Sequence, residues 1–306
     1  MLLNRYINLI KLIFLNFLIS LVFCTFSIVA FDPDTGEIGS AGASCIANSI
    51  IISEIIPGIG AINTQSYYLS QNQNYASSLM TQNYNPQEII NFLEINDFQN
   101  NPSIRQYGIV SYNQNISSAG FTGENCSDWK GHLTGYNYAI QGNILIDNSI
   151  LQSMEASFTS TNGPLSYKLM AALQAAKVPG ADFRCLDEGI SSYSAFIRLA
   201  MPDDESQFTI DLNVNSVIPY YFNNGIWIDP IDSLQIAFDN YIFENFEYNK
   251  GDINQDLIID ILDIIIIVNI VLGQSTSGVQ FLLSDINSDN IINIQDIIMI
   301  VNSILN

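Results

Sequence analysis

The alternation of apolar and polar residues predicts a β-hairpin near the start of the chain. The first segment is TFSIVAFD, which begins at Thr25, and its β-branched and aromatic residues favour a strand. PDTG then supplies turn-forming residues, with Gly36 able to adopt positive φ. EIGSAGASCIA follows as a second strand, and its small residues imply close packing against a neighbouring layer.

A helical period follows in the next segments and alternates with further strands. Helices are predicted for NPQEIINFLEIND, NSILQSMEASFTS, GPLSYKLMAALQAAK and IDPIDSLQIAFDNYIF, the first with Asn85 as its cap. Strands are predicted for RQYGIVSYN, ISSAGFTG, SYSAFIRLAM and SQFTIDLNV. Strands that flank a central block of helices predict a layered α+β domain.

The C-terminal segment from Gly251 to Asn306 repeats itself with a period of 33 residues. The apolar run DIIIIVNIVLG recurs as DIIMIVNSILN, and a set of polar positions recurs with it. The segment contains seven Asp and no Glu, Lys or Arg, and all seven Asp lie at the repeated positions. Surface acidity that served only solubility would be scattered, so this pattern indicates a specific role.

The repeated positions match the order of ligands in an EF-hand calcium loop. When Asp252 is counted as position 1, side chains with oxygen ligands occupy positions 1, 3, 5, 9 and 12, and position 7 offers a backbone carbonyl. Calcium takes about six to eight hard oxygen ligands, which such a loop supplies. The sequence therefore predicts two calcium ions, bound by Asp252, Asn254, Asp256, Ile258, Asp260 and Asp263 and by Asp285, Asn287, Asp289, Ile291, Asn293 and Asp296.

Two positions depart from the usual loop. Position 6, where Gly normally provides positive φ, is Leu257 in the first loop and Asn290 in the second, so the first loop is expected to be the more strained. Position 12 is Asp instead of Glu.

Without a cation the clustered carboxylates repel one another, so we expect metal binding and folding of the tail to be coupled. The Ile-rich runs after the loops are expected to be helices with an exposed patch for a partner.

The N-terminal residues and the net charge restrict where the protein acts. Arg5 and Lys11 precede an apolar run that ends at Cys24, which is typical of a secretory signal peptide. Cleavage there leaves Thr25 as the new N-terminus; cleavage after Ala30, an uncleaved anchor and a lipidated Cys24 are the alternatives. Export predicts an extracellular or cell-surface protein without a stable membrane span. The net charge of -21 argues against nucleic acid and anionic membranes as partners.

Few residues of the exported chain have an obvious redox or catalytic role. Cys45, Cys126 and Cys185 allow one disulfide and one spare thiol, and their spacing does not reveal the pair. His132 is the single histidine, so a histidine-based triad would have to use it. Arg105, Asp182 and Arg184 are candidates to line a polar pocket, or to form buried salt bridges.

The duplicated tail resembles a type I dockerin, since two calcium loops with Asp at position 12 are each followed by one helix. The resemblance covers residues 251–306 and implies a two-calcium module that docks to a cohesin-like receptor. Positions 10 and 11 often help to select the receptor in that family; here they are Ile261, Leu262, Ile294 and Gln295. Many dockerin-bearing proteins act on polysaccharides.

The region at 25–242 resembles the DUF1028 family, which has a fold like that of N-terminal-nucleophile (Ntn) hydrolases. The resemblance rests on TFSIVAFDPDTGEIGSAGAS, GIGAINTQSYY, RQYGIV, TGENCSDWKGHLTGYNYAIQGNIL and GADFRCLDEGISSYSAFIRL. It implies an αββα sandwich and no known substrate. The predicted organisation is a signal peptide at 1–24, this domain at 25–242, a linker at 243–250 and the tail.

An Ntn-type mechanism needs no histidine, because the α-amine of an N-terminal Thr, with a pKa of about 8, can act as the general base. Thr25 would attack an amide carbonyl, and Asn143 is a candidate to stabilise the oxyanion. No Asp and Lys pair of the proteasome type lies near the second strand, where Ser44 and Cys45 stand instead. The sequence thus predicts an amide-bond hydrolase tethered by its tail. The alternatives are a domain that only binds a ligand or partner, or an accessory protein of a polysaccharide-degrading assembly.

Overall fold

A computed structural model describes residues 22–23, 25–113, 115–161, 163–205, 208–215, 221–222, 226–245, 250–254, 256, 258–274, 278–287, 289 and 291–305. Most of the expected signal peptide, with Cys24, lies outside the described residues, and so do Leu257 and Asn290. Within the described part of the chain, no helix combines the length and the apolar character that crossing a membrane requires.

The strands form two larger antiparallel sheets and one small hairpin. The first sheet has the order β11-β10-β3-β2-β9-β8, and the second runs β1-β5-β6-β7, with β4 also paired to β5. The strands are β1 Val22–Phe23, β2 Thr25–Phe31, β3 Ile38–Ser44, β4 Ser53–Ile56, β5 Gly60–Tyr67, β6 Arg105–Asn113, β7 Asn115–Thr122, β8 Gly131–Thr134, β9 Tyr138–Asn143, β10 Ser194–Ala200, β11 Ile210–Asn215, β12 Tyr221–Phe222 and β13 Ile226–Trp227.

Helices cover the outer faces of both sheets. The helices are α1 Ser70–Thr81, α2 Pro86–Ile95, α3 Ser149–Ser160, α4 Leu165–Ala176, α5 Pro230–Asn245, α6 Ile261–Val271, α7 Gly278–Ser284 and α8 Ile294–Leu305. One apolar cluster joins α1 and α2 to β5 and β6 of the second sheet. Another joins α3, α4 and α5 to the first sheet. A third lies between the sheets, so the layers follow the order helices, sheet, sheet, helices.

The core between the two sheets changes character along its length. At one end it is apolar, with Val29 and Phe31 of β2 packed against Ala61 and Val110 of the second sheet. Toward the start of β2 it becomes polar, and buried amide and hydroxyl groups bridge the sheets. Since buried polar groups must be hydrogen-bonded, this end of the sandwich needs a specific arrangement of side chains.

The tail packs against the large domain through α5. Ile253, Ile267, Leu283 and Ile300 are each at most 1% exposed and belong to the same apolar cluster as Phe238. The tail and the outer helices of the first sheet therefore share one continuous core.

The α+β class and the antiparallel pairing predicted from the sequence are confirmed. Strands β2 and β3 form the predicted hairpin, and Asn85 caps α2 in a capping box with Glu88. Helix α5 continues to Asn245, so the first residues of the predicted linker at 243–250 are helical. Helices α1 and α7 have no counterpart in the sequence predictions; α1 carries many Gln, Asn and Ser residues, which hide its apolar face.

Candidate functional site

Thr25 and Asn143 lie side by side at the polar end of the first sheet. They are directly opposite residues of β2 and β9, and both side chains are fully buried. The Cβ atoms of opposite residues in an antiparallel pair are about 5 Å apart. The structure therefore brings together the two residues that the sequence predicts as nucleophile and oxyanion donor.

Both side chains face the space between the two sheets. Ser27 and Gln141, each two residues away along the same strand, are hydrogen-bonded to one another at 2.6 Å, and Ser27 donates to Gln65 of the second sheet at 2.7 Å. Residues two apart on a strand share a face. Thr25 and Asn143 consequently point toward the second sheet, away from helices α3 and α4.

Gln106 on β6 connects the polar groups at this end. Its Oε1 accepts from Asn143 Nδ2 at 3.0 Å and from Gln65 Nε2 at 2.8 Å, while its Nε2 donates to Thr122 Oγ1 at 2.9 Å. Gln65 Nε2 also donates to the carbonyl oxygen of Thr25 at 3.0 Å. A buried amide that is satisfied at both ends holds its partners in one arrangement. Gln106 therefore positions Asn143 and the backbone of Thr25 together, a role that the sequence did not reveal.

Gly108 makes room for this network. A Cβ atom at this position would lie 1.7 Å from Gln141 Oε1, which is far inside van der Waals contact. The glycine on β6 is thus required for the amide of Gln141 to fit between the sheets.

The hydroxyl of Thr25 lies outside this network of hydrogen bonds. Its Oγ1 is buried and has no hydrogen-bond partner among the described residues. A buried hydroxyl without a partner costs about 1–3 kcal/mol. A buried polar atom without a partner requires an explanation, and a role in catalysis is one such explanation.

Two residues that follow members of this network have a strained backbone. Ile144, which follows Asn143, has φ 51°, and Ser66, at the end of β5, has φ 69°. Positive φ is a genuine outlier for a β-branched residue such as Ile. Strained residues of this kind cluster at functional sites, where the surrounding structure holds them.

His132 contacts this network only indirectly. Its Nδ1 is 2.9 Å from Thr122 Oγ1, and Thr122 in turn accepts from Gln106. Gly120 leaves space for the ring, since a Cβ there would lie 2.5 Å from His132 Cδ2. With Thr122 and Gln106 between His132 and Thr25, the imidazole is not placed as the base of a histidine triad.

The three charged residues considered for a polar pocket form two separate salt bridges. Arg105 Nε donates to Asp97 at 2.8 Å, with both side chains almost fully buried. Arg184 and Asp182 form the second pair at 2.9 Å, and Asp182 also accepts from the backbone N–H of Cys45 at 2.6 Å. The salt-bridge alternative is thus the one that the structure supports.

The cysteine pairing that spacing left open is now defined. Cys45 and Cys185 form a disulfide with their Cα atoms 5.9 Å apart, beside Asp182. Cys126 is a buried free cysteine, and burial raises the pKa of its thiol. Its Sγ donates to the carbonyl oxygen of Arg105 at 3.2 Å.

In the tail, the last carboxylate of each repeat is buried and organises its own loop. Asp263 is 0% exposed and accepts from the N–H groups of Ile253 and Asp260 at 2.6 and 2.9 Å. Asp296 is likewise 0% exposed and accepts from Ile286 and Asn293 at 2.8 and 2.9 Å. The two repeats therefore share one local geometry.

The other loop residues follow the same duplicated scheme. Asp252 and Asp285 are each 5% exposed, and they accept from the N–H groups of Asp256 and Asp289, both at 3.0 Å. Asp260 caps α6. As they stand, no three acidic, His or Cys side chains among the described residues are arranged to hold a metal ion. The remaining predicted ligands are Asn254, Asn287 and Asn293 and the carbonyl groups of Ile258 and Ile291.

Exposed apolar residues recur at equivalent positions of the two repeats. The exposed fraction is 61% for both Ile258 and Ile291, 61% and 60% for Ile261 and Ile294, and 52% for both Ile265 and Ile298. We call these six residues the isoleucine surface. Apolar residues repeated in this way on one segment are typical of a protein-binding surface.

Comparisons with known proteins agree with the fold of the large domain. The model of DUF1028, described as a family of unknown function, matches residues 25–218. The crystal structure of protein SPO2555 from Silicibacter pomeroyi, a DUF1028 protein, is similar with a TM-score of 0.57 and 23% identity. The similarity covers 75% of this chain and 92% of that one, and at this identity it shows the fold alone. No curated protein matches the chain.

Proposed function

The chain belongs to the DUF1028 family, and on that premise we propose that its large domain hydrolyses an amide bond with Thr25 as an N-terminal nucleophile. The observation that carries the proposal is the buried hydroxyl of Thr25, which lacks a partner among the described residues and lies opposite Asn143. The proposal requires cleavage after Cys24, so that Thr25 acquires a free α-amine.

The reaction follows from groups at this end of the sandwich. The α-amine of Thr25 accepts the hydroxyl proton while Oγ1 bonds to the carbonyl carbon of the substrate. Asn143 donates to the oxyanion of the tetrahedral intermediate. The C–N bond then breaks, and the leaving amine takes the proton from the α-amine. Water hydrolyses the resulting ester and restores the hydroxyl, so the net change is the addition of one water molecule across the amide.

N-terminal sequencing and covalent labelling of the exported protein test the nucleophile without a known substrate. An acylating β-lactone should add one acyl group to the parent protein, and intact mass spectrometry should place it on Thr25. Thr25→Ala should abolish labelling, while Thr25→Ser should retain it, because serine also carries a hydroxyl. A mature N-terminus at any other residue, or labelling that survives Thr25→Ala, would refute the proposal.

We further propose that the tail binds two calcium ions. The donor chemistry fits: Asp263 and Asp296 are buried carboxylates, and the segment that holds them contains no Lys, Arg or His. Each loop adds further carboxylate, amide and carbonyl oxygens, which are the hard ligands that calcium prefers. A bound cation would offset the repulsion within each loop, while Asp263 and Asp296 keep the loop backbone in register with the following helix.

Differential scanning calorimetry of the full exported protein in calcium and in chelator tests this proposal. Calcium should raise the melting temperature, and Asp263→Asn with Asp296→Asn should remove the effect. Asp211→Asn, which removes an exposed carboxylate on β11, serves as the matched control and should leave it unchanged. An identical melting profile of the parent in calcium and in chelator would refute calcium binding.

The tail is also proposed to dock to a cohesin-like receptor as a dockerin does. The isoleucine surface supports this, because a soluble protein rarely exposes so many large apolar residues in one segment. A domain that binds a ligand or partner without catalysis is the second candidate. The hydrogen bonds of Gln106 support it, because a buried amide held at both ends makes a rigid binding surface without any catalytic step.

A further inference from the structure

The residues before Thr25 belong to a different sheet from the residues after it. Val22–Phe23 forms β1, which pairs antiparallel with the end of β5, with Val22 opposite Tyr67 and Phe23 opposite Ser66. From Thr25 the chain continues as β2 in the first sheet. The chain therefore passes from one sheet to the other between Phe23 and Thr25, and the expected cleavage lies in the same place.

Among the described strands, only β1 pairs with this edge of the end of β5, so the edge is open when β1 is absent. Strand β6 pairs with the opposite edge of β5 as far as Ser66, and β4 pairs only with the other end, from Gly60 to Asn63. An uncovered strand edge offers unpaired N–H and C=O groups, and an extended peptide can add to it as a further strand. Removal of residues 1–24 would thus open a strand-binding site beside Thr25.

We propose that this site is the substrate groove: the mature protein binds an extended peptide in the place of β1. The inference rests on the proposed function and deepens it by naming the substrate class. The peptide pairs with Ser66 and Tyr67 through its backbone, and the carbonyl that follows its paired residues lies beside Thr25. In the uncleaved chain Phe23 pairs with Ser66 only two residues before Thr25, so a peptide in the same register ends close to the nucleophile.

The end of β5 is held firmly enough to act as a template. The carbonyl oxygen of Tyr67 accepts from Arg105 Nη1 at 2.5 Å, and Arg105 is fixed by Asp97 and by Gln99. Ser66 is locked at positive φ between β1 and β6. A rigid edge reduces the entropy lost when a flexible peptide is ordered on it.

Recognition of this kind sets the substrate class by backbone shape. The acyl side of the cleaved bond must be an extended peptide of at least two residues before the cleaved position. Proline cannot donate a ladder hydrogen bond, so it is excluded at the residue whose N–H faces β5. The full chain has a net charge of -21, and the mature protein is more acidic still because it lacks Arg5 and Lys11, so acidic peptides should bind less well than neutral or basic ones.

Peptide binding to the mature protein tests the groove independently of catalysis. The probe is the fluorescently labelled peptide KSLVFS, which carries the residues at 20–23 with a lysine added for solubility and serine in place of Cys24. The receptor is the Thr25→Val variant that begins at residue 25, so that the peptide is not turned over. Two further probes carry a methyl group on the backbone nitrogen of the valine or of the phenylalanine.

Strand addition predicts an alternating result. In an antiparallel pair only every second residue directs its N–H toward the neighbouring strand. One methylated probe should therefore bind about tenfold more weakly than KSLVFS, because it loses a hydrogen bond, and the other should bind as KSLVFS does. A protein that retains residues 22–24 should not bind the probe, because β1 already covers the edge.

Contrary outcomes separate this inference from the proposed function. Equal binding of all three probes, or undiminished binding to the protein that retains 22–24, would overturn the groove even if Thr25 is labelled by the lactone. Alternating binding without Thr25 labelling would uphold the groove and refute the nucleophile. Circular dichroism of both receptor forms confirms that each is folded before binding is measured.

Discussion

The buried salt bridge between Asp97 and Arg105 leads to a sharp prediction about stability. Asp97 is 4% exposed and Arg105 is 1% exposed. In Asp97→Asn, an amide nitrogen replaces one carboxylate oxygen. Oδ1 accepts from two backbone N–H groups at 2.9 Å, whereas Oδ2 accepts from Arg105 Nε and from Asn72. When the amide nitrogen takes the place of Oδ2, the new N–H₂ group faces two donors, and Arg105 Nε loses its acceptor.

The expected loss of stability in Asp97→Asn follows from the burial of the Arg105 charge, which is left without its ion-pair partner. Breaking a buried pair by removing one partner costs about 3–5 kcal/mol, because the remaining charge stays desolvated. Asp211→Asn is the matched control, since Arg198 and Asp211 form a pair at the same 2.9 Å but with side chains 21% and 43% exposed. An exposed pair contributes about 0–1 kcal/mol.

Urea denaturation followed by circular dichroism measures both variants. Asp97→Asn should strongly lower the urea concentration at the unfolding midpoint, without changing how steeply the unfolding free energy depends on urea. Asp211→Asn should leave the midpoint nearly unchanged. The double variant Asp97→Asn with Arg105→Gln should lose less than the sum of the single changes, because no unpaired charge is then buried. Losses of similar size for Asp97→Asn and Asp211→Asn would refute the reasoning.

Three further predictions concern the same framework. Burial raises the pKa of Asp97, but the hydrogen bonds to its carboxylate outweigh that effect and lower the pKa from 3.8 to about 2. Its contribution to stability is therefore present above pH 3.8 and is lost as the pH falls through about 2. The free energy of unfolding of the parent should decrease over this range in an acid titration, and that of Asp97→Asn should not show this decrease. Gly108→Ala should lower the free energy of unfolding by about 1–3 kcal/mol, because the new methyl group clashes with Gln141. In a urea titration, adding Gln141→Ala to the same chain should restore the part of that free energy that is lost to the clash. Cys45→Ser should lower the free energy of unfolding by about 4–5 kcal/mol, because the disulfide with Cys185 closes a loop of 140 residues. The parent protein in reductant should lose the same amount of stability. As the control, Cys126→Ser should respond to reductant as the parent does.

The local elements of the large domain were predictable because their signals lie within a few residues of sequence. The alternation of TFSIVAFD and the turn at PDTG suffice for the β2–β3 hairpin. Asn85, with proline after it, marks the start of α2. In the tail, the repeat alone showed that Asp263 and Asp296 hold equivalent places, and both are fully buried.

The amide network was hidden because alternation does not say what a polar face meets. Thr25 and Ser27 lie on a face of β2 that would suit solvent equally well. The structure covers that face with a second sheet, whose Gln65 and Gln106 come from distant segments. Long-range partners have no local signature, and the same is true of the disulfide between Cys45 and Cys185.

The tail contains more apolar residues than an isolated pair of helices could bury, and its packing explains how they are divided. Ile267 and Ile300, each at most 1% exposed, lie in the core that α5 shares with the tail, whereas Ile265 and Ile298, only two residues earlier, are each 52% exposed. A helix turns about 100° per residue, so residues two apart lie on nearly opposite faces. One face of α6 and of α8 is therefore committed to the fold of this chain, while the other is left open in both repeats. An exposed apolar face lowers solubility unless something covers it, so the duplicated exposure of the isoleucine surface supports the proposal that the tail docks to a partner.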